Sequence, residues 1–181
     1  EDVVAEYLGG VSLAADFVDH YRGADRKFDY MWEERWVRDA GYSRFIPEAV
    51  GALLDKLGLA AGQVDRLAFP CFFKAEHAKI AKTIGVPRDK GVDDLHEICG
   101  ETGAAHPFLM GVKALEESQP GEIVVLAGFG QGCCALAFRV TEKIRELAPR
   151  NGCRGALARK QSTDNYLKFL KFRDLLQTEM G

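Results

Sequence analysis

The side chains best suited to chemistry fall in a few short stretches. Glu101 and His106 lie five residues apart in the small-residue turn Gly100-Glu101-Thr102-Gly103-Ala104-Ala105-His106-Pro107. A carboxyl group can act there as an acid or base if its environment raises its affinity for a proton, or simply as a salt-bridged turn residue. His106 precedes Pro107, so its imidazole either serves a pocket or caps the following helix. Cys71 closes the run Phe69-Pro70-Cys71, as a buried apolar thiol or a residue lining a site. Cys99, Cys133 and Cys134 read as core residues, His77 as an exposed helix residue, and His20 and His96 as structural. With Cys153 the cysteines number five. No CxxC pair occurs, and the adjacent Cys133 and Cys134 are poorly placed for a disulfide. We therefore expect no metal site, reduced thiols and a cytoplasmic protein.

Composition narrows the classes. The chain has 181 residues, of which 47% are hydrophobic and 28% charged, with a formal net charge of -3. That is the balance of an ordinary globular domain and gives no electrostatic reason to expect nucleic acid. No run of 18 apolar residues predicts a membrane span, and no signal peptide is evident. The first residue is Glu1, which suggests a piece of a longer chain. Gly128-Phe129-Gly130-Gln131-Gly132 is no dinucleotide motif, because a strand rather than a helix follows it.

Hydrophobic patterning supplies the elements. Strands are expected at 11–20, 65–70, 122–127 and 133–140, and helices at 47–59, 74–84 and 107–117. Residues 95–99 extend briefly. The aromatic and arginine-rich stretch 21–42, with Arg35, Trp36 and Arg38, is a connection that is helical in part. The last two strands should be antiparallel across the glycine turn. Crossover helices between the others imply an α/β fold with a mixed, mostly parallel sheet flanked by helices. Residues 149–162 are basic and loop-like, and 163–180 form an amphipathic helix. The division expected is 1–145 as the main domain and 146–181 as basic linker and C-terminal helix.

Residues 100–140, from Gly100-Glu101-Thr102-Gly103 through Pro120-Gly121 to Gly128-Phe129-Gly130-Gln131-Gly132 and the closing strand, resemble the C-terminal half of the thiolase superfamily. The nearest branch is the β-ketoacyl-ACP synthase III and hydroxymethylglutaryl-CoA synthase group. The resemblance implies one layered α-β-α half of a condensing enzyme that dimerises. Its nucleophilic cysteine would lie in the other half, outside these residues. It implies a coenzyme A or carrier-protein thioester as substrate and no covalently bound cofactor. Gly130 and Gln131 fall on the loop whose backbone N–H helps hold the oxyanion. Arg35, Arg38 and Trp36 could border the acyl-CoA tunnel, arginines on phosphates and the ring on the cofactor arm, or belong to a surface excursion. Residues 141–181 resemble an extension that joins such a domain to an OB-fold partner. The family's histidine falls on Cys71 and its asparagine on Glu101, so two neutral donors are replaced by a weak donor and an acceptor. The alternative to an acyltransferase is thus a non-catalytic thiolase-like scaffold or binding subunit working with that partner. A half standing alone should expose an apolar face.

Overall fold

The computed structural model describes residues 2–147 and 152–176. Its centre is a four-stranded sheet in the order β1 (Ala5–Ala14), β6 (Gly132–Val140), β5 (Ile123–Gly130), β4 (Arg66–Ala68). The sheet is mixed and flanked by helices, as expected. Among its strands, however, only β4 and β5 pair in parallel, with one isolated parallel bridge from Leu67 to Gly91; β1 with β6 and β5 with β6 are antiparallel. The expectation of a mostly parallel sheet fails because β1 docks on the returning arm of the β5–β6 hairpin, not beside β4.

β5 explains why the sheet needs cover on both sides. Ile123, Val125 and Ala127 belong to the core beneath α2 (Ser43–Leu57) and α3 (Lys74–Ile84). Val124 and Leu126 point into a second cluster with Met110 and Ala114 of α5 (His106–Glu117). An uninterrupted apolar run is what a strand buried on both faces requires.

β1 begins earlier than the sequence suggests. Gly9 and Gly10 do not stop it; the register shifts between Tyr7 and Gly9 in a bulge. A Cβ on Gly9 would come within 2.9 Å of Leu57 Cδ2, so the glycine lets α2 approach the strand. The connection after β1 holds a two-residue hairpin, β2 (His20–Tyr21) with β3 (Tyr30–Met31), whose rings stand largely exposed. Helix then runs continuously from α1 (Glu34–Trp36) through a π-helical segment (Val37–Tyr42) into α2. Pro47 lies inside α2 rather than at its start. α3 ends at Gly85, whose φ of 88° provides the left-handed cap.

Beyond β6 the basic stretch is not all loop. Within its described part, α6 (Cys153–Ala158) packs on α5, with the Arg154 N–H donating to Glu116 Oε2 at 3.0 Å. The C-terminal helix is shorter than expected, α7 (Tyr166–Phe172), and an ion pair joins Asp174 to Lys27. Residues 149–151 and 177–180 of those two predicted segments lie outside the described residues. No described helix is long and apolar enough to cross a membrane.

Candidate active site

The tip of the β5–β6 hairpin, the start of α5 and the turn after β4 enclose a cavity of about 880 Å³. Tyr42, Phe72, Phe129 and Pro107 give it apolar walls, and Glu101 brings a carboxyl group to it. Gly128 through Gly132 form one side. Close approach decides two of these glycines. A Cβ on Gly128 would come within 3.2 Å of Pro107 Cγ, so the small residue lets α5 start against the hairpin. Gly132 has φ of 108°, and a Cβ there would lie 1.9 Å from the Leu13 carbonyl oxygen. Only glycine fits where β6 departs so close to β1.

Glu101 is held at several points. Its Oε1 accepts the Gly103 N–H at 2.6 Å, and its Oε2 pairs with His96 Nε2 at 2.8 Å. His96 opens the short helix α4 (His96–Cys99) and was not expected to serve a site. Its ring lies between Phe72, centroids 4.8 Å apart, and His106, centroids 4.2 Å apart with planes 10° from parallel. His106 is fully buried at the first position of α5 and does not line the cavity. Nor does it cap the helix with its side chain. Its Nε2–H donates to the Asp94 carbonyl at 2.6 Å, which leaves Nδ1 to accept the Thr102 N–H at 3.2 Å. His106 thus stands behind Glu101, with Nδ1 3.6 Å from Oε1.

His96, Glu101 and His106 bring potential ligand atoms within 4.8 Å of one another. Their arrangement is that of a hydrogen-bonded stack rather than a metal cage. Imidazole lone pairs lie in the ring planes, and those of two stacked parallel rings do not converge on one ion. The Nδ1 lone pair of His106 is already engaged by Thr102.

The cysteines divide. Cys71 belongs to the core and does not line the cavity, although Pro70 and Phe72 on either side of it do. Its Sγ contacts the Phe73 carbonyl, and burial pushes the thiol up to about 12. Of the two readings of Cys71, buried apolar thiol or site-lining residue, the structure shows the first, and the second is corrected: the chain turns at Pro70 so that Phe72 takes the cavity-facing place. Cys133 is buried, with its thiol likewise pushed up to about 12. Cys134, expected in the core, is exposed beside Ser12, and Cys99 is half-buried. One residue of alternation along β6 separates the neighbours Cys133 and Cys134. His77, expected at the surface, is half-buried and stacks on Phe69 at 4.2 Å; burial lowers its pKa.

Arg35 and Arg38 line neither this cavity nor the recess of about 440 Å³ beside it. Arg38 instead forks onto Asp39, Nε at 2.7 Å and Nη2 at 3.1 Å, which raises its own pKa and lowers that of Asp39. Trp36 does border the recess, stacked on Phe17 at 5.6 Å, and the recess shares Ser12, Leu13 and Ala14 with the cavity. The sequence did not single out Asp94 or Thr102, took His96 as structural, and offered Tyr42 only as one ring of the 21–42 stretch. One signal was present: His96 and His106 each lie five residues from Glu101.

Comparison with known proteins bears on the same region. Residues 54–140 match the family of the 3-oxoacyl-[acyl-carrier-protein] synthase III C terminal domain. A hydroxymethylglutaryl-CoA synthase of Thermococcus onnurineus is 27% identical over 156 residues, which cover 82% of this chain and 44% of that protein. A beta-ketoacyl-[acyl-carrier-protein] synthase III of Lactobacillus delbrueckii subsp. bulgaricus is 32% identical over 94 residues, 51% of this chain and 29% of that one. Among solved structures, an HMG-CoA synthase complexed with CoA superposes with a TM-score of 0.66 at 18% identity, covering 91% of this chain and 47% of its own. The 3-oxoacyl-[acyl-carrier-protein] synthase III from Aquifex aeolicus gives 0.66 at 16% identity, 77% and 46%. The chain spans less than half the length of these relatives. In sequence, residues 54–140 resemble the synthase III C-terminal domain, and the described fold is similar to that found in ketoacyl synthase III and hydroxymethylglutaryl-CoA synthase.

Proposed function

We propose that this chain is the C-terminal half of an acyl-CoA-handling acyltransferase or condensing enzyme, of the hydroxymethylglutaryl-CoA synthase or ketoacyl synthase III type. The observation that carries the reading is the shared cavity of the Gly128–Gly132 hairpin and Glu101. Backbone N–H groups at Gly130 and Gln131 would stabilise charge on a thioester oxygen, and Glu101 would supply acid or base. The nucleophilic cysteine lies in the other half of the same fold. Phe108 and Val112, 60% and 41% exposed at one-turn spacing on α5, offer that half an apolar face. Trp36, beside the adjoining recess, is the best placed of the tunnel candidates for a coenzyme A arm. The substrate would be an acyl-CoA or acyl-carrier-protein thioester, and the assembly a cytoplasmic homodimer.

A second reading is a non-catalytic scaffold acting with an OB-fold partner. It is favoured by Cys71, which is withdrawn into the core where the resemblance puts a histidine. Incubation of the full-length protein with radiolabelled acetyl-CoA, acid quench and peptide mapping separates the two. Label on a cysteine of the other half, diminished in Glu101→Ala, is the result expected of the enzyme. No label with a range of acyl-CoAs would leave the scaffold.

A further inference from the structure

The group behind Glu101 has more order than a turn requires. Each ring nitrogen of His96 faces a carboxylate: Nε2 is 2.8 Å from Glu101 Oε2, and Nδ1 is 3.4 Å from Asp94 Oδ1. Nδ1 is buried and makes no hydrogen bond within the chain. The ring stacks on His106 and packs against the tilted ring of Phe72, which restrains its orientation. Asp94 is fixed in turn. Its Oδ1 accepts the His96 N–H at 3.2 Å, and its carbonyl accepts from His106 Nε2 at 2.6 Å. Between Asp94 and His96, the buried Leu95 is held at φ of 62°, a conformation that a leucine seldom adopts. Strain of this kind persists only where the surroundings over-determine it, and it gathers at functional sites.

We infer that Glu101 is the proton-transfer group of the cavity and that His96, anchored by Asp94, is the residue that positions it. This rests on the acyl-thioester reading above. Within it, one Glu101 oxygen takes the proton from the carbon next to the thioester carbonyl. The C–H bond breaks, its electron pair becomes the C=C bond of an enolate, and the charge comes to rest on the thioester oxygen. The proton exchanges with solvent from the carboxyl group, and the reverse transfer returns one to carbon. Without the Nε2–H, the carboxylate keeps only its Gly103 tether at Oε1 and loses its aim. A pre-aimed base is worth far more than a loose one.

The experiment is deuterium incorporation into the methyl group of acetyl-CoA in D2O by the full-length protein. It is read by mass spectrometry over a range of acetyl-CoA concentrations and normalised to the covalent acyl label of each variant. Glu101→Gln should lower exchange, relative to its own acyl label, about 100-fold or more. His96→Ala should lower the saturating rate about tenfold with KM for acetyl-CoA within about twofold, a loss of about 1.4 kcal/mol of transition-state stabilisation. His96→Gln, whose amide N–H can reach Glu101, should recover most of it and fold where alanine does not. Exchange by Glu101→Gln at the wild-type rate overturns the base assignment. His96→Ala at the wild-type rate, or glutamine no better than alanine, overturns the positioning role. Acyl label without exchange in the wild type overturns this inference alone; neither label nor exchange overturns the acyl-thioester reading beneath it.

Discussion

Gly132→Ala should be among the most damaging single-methyl changes in the chain, and Gly130→Ala, two residues away, nearly silent. Gly132 sits at φ of 108°, where an L-residue is strained by roughly 1–3 kcal/mol. Its new Cβ would lie 1.9 Å from the Leu13 carbonyl oxygen, 1.1 Å inside the 3.0 Å below which real contacts essentially never fall. That oxygen belongs to backbone paired along β6, so it cannot swing aside as a side-chain tip could. The hairpin must part from β1, with loss of the Ala14–Gly132 pairing and the Ala15 N–H to Gln131 carbonyl bond of 3.2 Å. Two such bonds add about 0.5–1.5 kcal/mol each. The total is about 2–6 kcal/mol. With a urea slope of about 2 kcal/mol/M, the midpoint falls by roughly 1–3 M. A Cβ on Gly130 meets nothing within 4 Å, and its φ is not positive, so its midpoint should move by less than about 0.5 M. Urea unfolding of the two variants beside wild type decides the matter. Equal midpoints for the two would refute the reasoning, because it rests on the contrast between them.

Two further predictions concern buried groups. The Cys71 and Cys133 thiols are both raised to about 12 in the folded chain, against a usual value near 9. The unfolded chain therefore ionises first as pH rises, and stability is complete below about pH 9 and lost between about 9 and 12. Each thiol contributes up to about 1.4 kcal/mol per pH unit in that window. Unfolding at pH 8 and pH 10 should show the loss, and Cys71→Ala should reduce it; an unchanged pH slope would count against burial of that thiol. His106→Ala strands the Asp94 carbonyl and the Thr102 N–H, at about 1–3 kcal/mol each. A fall in the urea midpoint smaller than that of an exposed substitution such as Arg35→Ala would show that His106 is not the buried anchor described.

Local pattern reveals some features here and not others. α3 is legible from end to end, because spacing, Gly85 and Pro87 agree on one answer. The β5–β6 hairpin is legible from the glycines between two apolar runs. Glu101 and the Gly128–Gly132 stretch stand out as candidates because their residue types are scarce in such company. Cys71, by contrast, is ambiguous in sequence: whether a thiol at a strand end faces core or cavity depends on a turn at Pro70 that no periodicity encodes.

Sequence alone thus determined the alternation of strands and helices, the resemblance to a thiolase-like half, and the small-residue turn that brings a carboxyl group into play. The first and last follow from side-chain volume, hydrophobic period and backbone permissiveness, all local properties; the resemblance rests on the residues of 100–140 themselves. Tertiary structure decided that β1 pairs with β6 and makes the sheet largely antiparallel, since strand partners are chosen by packing across more than 100 residues. It also decided that His96 and His106 stack behind Glu101. That arrangement depends on Asp94, whose side chain accepts the His96 backbone N–H and whose carbonyl accepts from the His106 ring, next to a strained Leu95. A contact made jointly by a loop, a short helix and the start of α5 has no period to betray it.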